Sequence, residues 1–279
     1  MTDTRIKTGV IGHPIAHSKS PFIHSHWFDL YKLSGLYTKI DTPPENLKQD
    51  VQNIVDQGFV GFNVTVPHKV SIMALCDHVD ELAQKIGAVN TVTIKDGKLY
   101  GTNTDAFGFI ENIKETVQRN NWGWDFKDGK AVIFGAGGAA NAIIYALLQE
   151  GVPEIVITNR TLEKAQNLTT FDPSCISAQP WDNRNDILKN ANLIVNTTSL
   201  GMEKQPALEI DLSHTPNSAL VNDIVYAPLY TDLLTQAKNK GLKTVTGIGM
   251  LLHQARPGFE LWNGILPDVT PQLEKLILK

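Results

Sequence analysis

Short β-branched runs alternate with longer amphipathic ones along the first hundred residues. Ile6 to Ile11, Leu36 to Ile40 and Gly61 to Val66 read as strands, and Pro21 to Leu33 and Pro44 to Asp56 between them read as helices. Such alternation implies an α/β fold built on a mostly parallel sheet. Ala88 to Ile94 and Lys98 to Thr102, joined by Lys95-Asp96-Gly97, form a predicted hairpin, and a helix is expected over Ala106 to Val117. The polar stretch Arg119 to Gly129 reads as a surface connection. Beyond it, Lys130 to Phe134 runs into a glycine-rich turn, a helix over Asn141 to Gln149 stops at Gly151, and Glu154 to Thr158 is the next strand. Further strands are expected at Leu193 to Val195, Ala219 to Val221 and Thr244-Val245. From Gly247, the positions Met250, Leu251, Leu252, Ala255, Phe259 and Leu261 predict a helix with a wide apolar face that returns to the first domain.

The turn between strand and helix carries the first chemical signal. Gly135-x-Gly137-x-x-Ala140 fits a dinucleotide fingerprint: a Gly for the tight turn, a Gly for close approach of phosphate, and a small residue for helix–strand packing. Backbone N–H groups at the start of that helix and its dipole favour an anion there. After the second strand stand Asn159-Arg160-Thr161 and Lys164, where an enzyme using NAD usually has an acid for the ribose hydroxyl. Arg160 and Lys164 would attract a 2′-phosphate instead, so the expected cofactor is NADP. The same residues also fit an exposed basic turn.

Bulk properties narrow the partners. With 279 residues and 42% hydrophobic content, the chain is long enough for two domains. A net charge of −4 without a basic stripe argues against nucleic acid and for a small-molecule substrate. Cys76 and Cys175 have no metal or redox spacing, and no run approaches a membrane span, so a cytosolic protein is expected. The sequons at Asn63 and Asn167 are then coincidental. No metal site is expected, because Pro14 interrupts His13 and His17, and His24 and His26 face different sides of a helix.

Two residues could serve carbonyl reduction, which needs a proton donor beside the forming alkoxide. Lys69 follows a strand end in Asn63-Val-Thr65-Val-Pro67-His68-Lys69, and Asp105 opens a helix after Asn103-Thr104. A Lys held by a carboxylate would supply that donor. Taken singly, Lys69 is an ordinary solvated lysine, and Asp105 or Thr104 an ordinary N-cap. Ser20 before Pro21 likewise reads as an N-cap, while Ser18 and Ser20 together could also donate to a carboxylate.

Taken together, His17-Ser-Lys-Ser-Pro21, Asn63 to Lys69, Gly87-Ala-Val-Asn-Thr91, Asn103-Thr-Asp105, Gly135 to Ala140, Asn159-Arg-Thr161, Asn196-Thr-Thr-Ser199, Tyr226-Ala-Pro228 and Gly247-Ile-Gly-Met-Leu251 with Gln254 resemble the shikimate dehydrogenase family over almost the whole chain. The resemblance implies an N-terminal α/β substrate domain (1–105) completed by C-terminal helices (247–279), and a Rossmann-like NADP domain (106–246). It implies reversible reduction of 3-dehydroshikimate to shikimate, in a monomer or homodimer, with Lys69 and Asp105 as the catalytic pair. Ser18, Ser20, Thr65, Asn90, Asp105, Tyr226 and Gln254 would hold the substrate. Gly135, Ala136, Gly137, Gly138, Ala139, Asn159, Arg160, Thr161, Lys164, Thr198, Ile224 and Gly247 would line the cofactor, with Met250 near the nicotinamide. Glu81 matches a position sometimes counted with the cofactor and equally fits a solvated helical Glu. The chain departs from the family pattern at Ala106, where Gly is frequent, and His68 is assigned no role. A quinate/shikimate dehydrogenase using NAD and a non-catalytic dinucleotide sensor are the alternatives.

Overall fold

The computed structural model describes residues 5–278. The chain divides into two compact units, Met1–Asp105 with Leu252–Lys279, and Ala106–Leu251. The first begins β1 (Ile6–Gly12), α1 (Ser20–Leu30), β2 (Gly35–Asp41), α2 (Leu47–Asp56), β3 (Gly61–Val64), β4 (His78–Val79), α3 (Glu81–Ile86), β5 (Thr91–Lys95) and β6 (Lys98–Thr102). Its sheet has the order β2-β1-β3-β5-β6-β4. The part made of β2, β1 and β3 is parallel, as the alternation predicts; the β5–β6 hairpin adds antiparallel pairs and makes the sheet mixed. Asp96 and Gly97, at φ 52° and 73°, form the two-residue turn that suits the strand twist.

Several element ends differ from the sequence expectation for identifiable reasons. Helix α1 stops at Leu30, and Lys32 at φ 53° turns the chain into β2. Strand β3 stops at Val64, short of Val66, because Pro67 has no N–H for a ladder. Pro44–Asn46 is a 3-10 turn ahead of α2. Helix α3, which lies between the predicted strands, is bounded by Asp80, whose carboxylate accepts the Ala83 N–H at 2.7 Å, and by Gly87 in the left-handed region at φ 74°.

The chain continues through α4 (Asp105–Arg119), β7 (Lys130–Phe134), α5 (Gly138–Gln149), β8 (Ile155–Asn159), α6 (Leu162–Leu168), β9 (Ile176–Pro180), β10 (Ala191–Asn196), β11 (Leu220–Asp223), α7 (Asp232–Asn239), β12 (Lys243–Val245), α8 (Gly247–Asn263) and α9 (Pro271–Ile277). The second unit's sheet is parallel throughout, in the order β12-β11-β10-β7-β8-β9. That order is the doubly wound one, and it reverses between β7 and β10, where such sheets bind ligands at their carboxyl ends. Ala131, Val132, Ile133 and Phe134 of β7 are all fully buried, as a central parallel strand requires. The predicted surface connection 119–129 is in fact anchored. Trp124 and Phe126 are buried in it, Trp124 Nε1 donates to the Asn192 carbonyl at 3.2 Å, and Asn192 Nδ2 donates to the Asp125 carbonyl at 2.9 Å.

The units part between Leu251 and Leu252, inside α8, whereas the sequence-based division fell at residue 247, where that helix begins. The C-terminal segment is tied to the first unit through two indoles. Trp262 Nε1 donates to the Val92 carbonyl at 3.1 Å, and Trp27 Nε1 to the Asp268 carbonyl at 3.2 Å. Phe259 and Trp262 of α8 join Trp27 and Tyr37 around the buried ring of His24, and Phe28 packs on Phe259. Among the described residues no helix is long and apolar enough to cross a membrane.

Candidate active site

The end of β3 sets up the first group of residues. Gly12 makes room there: a Cβ on it would lie 2.5 Å from Cγ2 of Thr65. The Thr65 N–H continues the sheet to the Ile11 carbonyl at 2.9 Å, and its own carbonyl accepts the His68 N–H. His68 is buried, and its Nε2 lies 2.6 Å from the Thr42 carbonyl, which pins the loop that delivers Lys69. This is a structural role that the sequence reading did not assign. The Lys69 carbonyl accepts the Val89 N–H at 2.8 Å, so backbone on both sides of Lys69 is held.

Lys69 Nζ donates to Asp105 Oδ2 at 2.5 Å, with side chains 23% and 8% exposed. Asn90 Nδ2 donates to the other oxygen, Oδ1, at 2.8 Å, and to Thr104 Oγ1 at 3.0 Å. Asp105 is the first residue of α4 and so stands inside the helix, not ahead of it. Asn103 Oδ1 accepts the Asp105 N–H at 2.9 Å, and the Asp105 carboxylate accepts from Lys69 and Asn90. Thr104 is likewise engaged with Asn90, whose Oδ1 accepts the Thr104 N–H at 2.8 Å. An ammonium has three N–H donors, of which the carboxylate takes one. The arrangement can therefore hold a cation, oriented and partly dehydrated, beside a carbonyl oxygen.

Ser18 and Ser20 stand at the start of α1. The cap predicted for Ser20 is not formed: Ser20 is the first helical residue, Lys19 stands at the cap without a side-chain cap bond, and Ser18 Oγ accepts the Ser20 N–H at 3.3 Å. The Ser20 side chain is buried beside Tyr37. Gln254 lies in α8, half-buried, in the same unit. Tyr226, Gly247 and Met250 belong to the second unit. Burial raises the Tyr226 phenol above its ordinary pKa, and Met250 is buried.

In the second unit the glycine turn has the shape a dinucleotide requires. Gly135 sits at φ 109°, and a Cβ there would lie 2.6 Å from Thr197 Oγ1 and 2.9 Å from Thr198 Cγ2. The protein itself therefore demands that glycine. Gly137 and Gly138 differ: a Cβ on either would meet nothing within 4 Å. Their bareness leaves open space over the first turn of α5, whose N-cap Gly137 offers no side-chain cap to the helix N–H groups. Ala136 and Ala139 complete the turn, and Ala140 is fully buried, as the third small residue of the fingerprint should be. At the end of β8, Asn159 Nδ2 donates to the Thr161 carbonyl at 2.9 Å, while Arg160, Thr161 and Lys164 are exposed. These residues fit a dinucleotide bearing a 2′-phosphate.

Across the switch point, Asn196 and Asp223 organise the facing loops. Asn196 Oδ1 accepts the N–H and hydroxyl of Thr198, and its Nδ2 donates to Asp223 Oδ1 at 3.0 Å. Asp223 also accepts the Val225 N–H and the Thr231 hydroxyl. Burial pushes its pKa up against these three hydrogen bonds. Gly247 crosses this loop closely, since its Cβ position lies 2.3 Å from the Ile224 carbonyl oxygen. Glu81 is explained without a ligand: it is exposed and pairs with Lys85 at 2.7 Å. Among the described residues no cluster of three or more His, Cys, Asp or Glu could hold a metal ion.

Three stretches match known families: residues 10–92 the shikimate dehydrogenase substrate binding domain, residues 116–214 shikimate/quinate 5-dehydrogenase, and residues 247–274 the shikimate 5′-dehydrogenase C-terminal domain. The NADP(+) shikimate dehydrogenase of Paramagnetospirillum magneticum is 45% identical over 271 residues, covering 97% of each chain. The chain belongs to the shikimate dehydrogenase family. Among solved structures, shikimate 5-dehydrogenase of Thermus thermophilus, in complex with NADP(H) and shikimate, aligns with a TM-score of 0.85 at 37% identity over 98% of each chain. Quinate dehydrogenase from Corynebacterium glutamicum, in complex with NAD, aligns with a TM-score of 0.89 at 32% identity, over 98% of this chain and 99% of that one. The backbone thus fits shikimate and quinate members of the family equally well, and side chains must separate them.

Beyond the residues anticipated from sequence, this family member carries Asn63, Thr91 and Tyr37 in a hydrogen-bonded series that reaches Asp105 through Asn90. Asn63 is buried, Tyr37 Oη donates to its Oδ1 at 2.6 Å, and its Nδ2 donates to Thr91 Oγ1 at 3.0 Å. Asn63 lay inside a recognised motif without a role of its own.

Proposed function

We propose that this protein is an NADP-dependent shikimate dehydrogenase, reversibly reducing the ring ketone of 3-dehydroshikimate to the alcohol of shikimate. The observation that carries the reading is the Lys69–Asp105 pair, gripped by Asn90 and delivered by two separately anchored loops. Lys69 hydrogen-bonds the carbonyl oxygen and stabilises or protonates the developing alkoxide, where a fixed charge acts more strongly than on the ground-state ketone. Asp105 holds Lys69 in place and, with Asn90 and Gln254, takes ring hydroxyls. Ser18, Ser20 and Thr65 hold the substrate carboxylate, and Tyr226 closes the pocket.

NADPH, when bound, supplies the hydride. Residues Gly135 to Ala139, with Thr198, Ile224 and Gly247, would hold its pyrophosphate and nicotinamide half, and Met250 would lie by the nicotinamide. Asn159, Arg160, Thr161 and Lys164 would take the adenosine 2′-phosphate. The exposed Arg160 and Lys164 favour this cofactor over NAD, for which an acid near position 161 would be expected. The substrate is a small molecule, and we place the enzyme in the cytosol as a monomer or homodimer.

Nicotinamide absorbance followed with shikimate and with quinate, each against NADP and NAD, tests the assignment. Shikimate with NADP should be the best pair by kcat/KM. Quinate with NAD as the best pair would transfer the protein to the quinate branch, and tight NADP binding without turnover of any cyclic polyol would make it a sensor.

A further inference from the structure

Hydrogen-bond donors and acceptors beneath the Lys69–Asp105 pair line up in one direction. Tyr37 has a single hydroxyl proton, given to Asn63 Oδ1 at 2.6 Å, and this identifies that atom as the acceptor end of the amide. Asn63 Nδ2 then donates to Thr91 Oγ1 at 3.0 Å, and Thr91 passes its own proton to Asn90 Oδ1, also at 3.0 Å. Asn90, its amide orientation set by Thr91 together with the Thr104 N–H, donates from Nδ2 to Asp105 Oδ1 at 2.8 Å. Tyr37, Asn63, Thr91, Asn90 and Asp105 are all buried, and the ring of Tyr37 is stacked on His24 at 4.0 Å with planes 10° apart. Each donor in such a series polarises the next, and every bond here points towards the carboxylate.

We propose that Thr91 and Tyr37 are positioning residues of the reaction: through Asn63 and Asn90 they hold the Asp105 carboxylate, and so the Lys69 ammonium, in its working orientation. Neither residue needs to touch the substrate. Thr91 is the link between the two amide side chains, because its hydroxyl is at once the acceptor for Asn63 and a donor to Asn90. Without it Asn63 Nδ2 keeps only the Asn90 carbonyl at 3.3 Å, Asn90 Oδ1 is held by Thr104 alone, and the amide that donates to Asp105 is less tightly fixed. The proposal rests on the reading that Lys69 and Asp105 act on the substrate.

The test compares Thr91→Val, which keeps the side-chain shape and removes the hydroxyl, with Thr91→Ser, which keeps the hydroxyl. Thr91→Val should lower kcat about tenfold, the worth of one lost hydrogen bond, with the KM for shikimate changed less than about twofold. Thr91→Ser should restore most of kcat. In a Lys69→Ala background, Thr91→Val should have no further effect, because the residue it positions is gone. Tyr37→Phe, which keeps the ring stacked on His24, removes the head of the series and should lower kcat in the same sense if Thr91→Val fails to fold. An unchanged kcat in both Thr91→Val and Tyr37→Phe, or the same fold-loss in the Lys69→Ala background as in the native one, overturns the positioning role. Near-normal kcat in Lys69→Ala itself would instead overturn the site reading, so the two failures are distinguishable.

Discussion

Acid should destabilise the first unit through one histidine, and the size of the effect can be worked out. His24 is fully buried, stacked on Tyr37 and edged by Trp27 at 5.5 Å, with Phe259 and Trp262 at 5.9 and 5.6 Å. Burial pushes its pKa from 6.5 down to about 3, against a smaller opposing effect of the Asn63 side chain. The unfolded chain takes up this proton near pH 6.5 and the folded chain only near pH 3, so between those values the unfolded state binds more protons. Stability therefore rises with pH across that window. The neutral ring's contribution is fully present above pH 6.5 and is lost as the pH falls towards 3. Each pH unit is worth about 1.4 kcal/mol, which gives a loss of about 2 kcal/mol by about pH 5 and about 4 kcal/mol by about pH 3, where the folded ring is itself half-protonated. Urea unfolding of the native protein and of His24→Phe, at about pH 7.5, 6 and 5, isolates the effect, because carboxylates common to both chains cancel in the difference. The variant keeps an aromatic ring in the cluster and should lose about 2 kcal/mol less than the native protein between about pH 7.5 and 5. Equal losses in the two proteins would refute the reasoning.

Three further outcomes are expected. Lys69→Ala should lower kcat by about a hundredfold or more with a modest change in substrate KM, since its charge matters most once the oxygen becomes negative; steady-state kinetics at saturating shikimate will show it. Arg160→Ala should raise the KM for NADP roughly ten- to a hundredfold while changing that for NAD little, because only NADP loses a charge-assisted contact; equal weakening of both cofactors would mean that the side chain stacks on adenine without reading the phosphate. Gly61→Ala should destabilise the first unit by about 3 kcal/mol or more in a thermal or urea melt, because its Cβ would fall 2.0 Å from Trp262 Nε1 and 2.5 Å from the Val92 carbonyl oxygen, and so break the bond that docks α8.

The elements that sequence patterning located are those whose burial is regular. In β7 four consecutive residues are fully buried, and the hairpin turn Asp96-Gly97 needs two positive φ values that only a few residue types accept. The elements that patterning left out are short or irregular. Strand β4 has two residues, too few to show a period, and α3 has six, set by a cap and a glycine rather than by an apolar face. The connection 119–129 misled because its polar residues outnumber Trp124 and Phe126, and it is those two, by burial and one indole hydrogen bond, that fasten it to β10. The Tyr37-to-Asp105 series is invisible in sequence for a different reason. Its members come from β2, β3, the start of β5 with the residue before it, and the start of α4, and only the paired register of Asn63 with Thr91 brings the middle of it together.

What was legible, and misread, is a local device repeated at the candidate sites. Ser18 accepts the N–H of Ser20, Asn103 that of Asp105, Asn196 that of Thr198 and Asp223 that of Val225, each a side chain turning back on the backbone two residues on. A Ser or Asp just ahead of a helix was expected to satisfy the helix with its own side chain. In the first two cases that residue is already the first of the helix, and the side chain two places earlier accepts its N–H. Asn103 holds the backbone N–H of Asp105, and the two Asp105 oxygens accept separately from Lys69 and from Asn90. Across the second sheet, Asn196 and Asp223 bond to each other while each holds its own turn, so the loops after β10 and β11 are fixed as one piece at the carboxyl ends beside the switch point. At each place the polar residue two positions ahead builds the turn from which the next side chain projects.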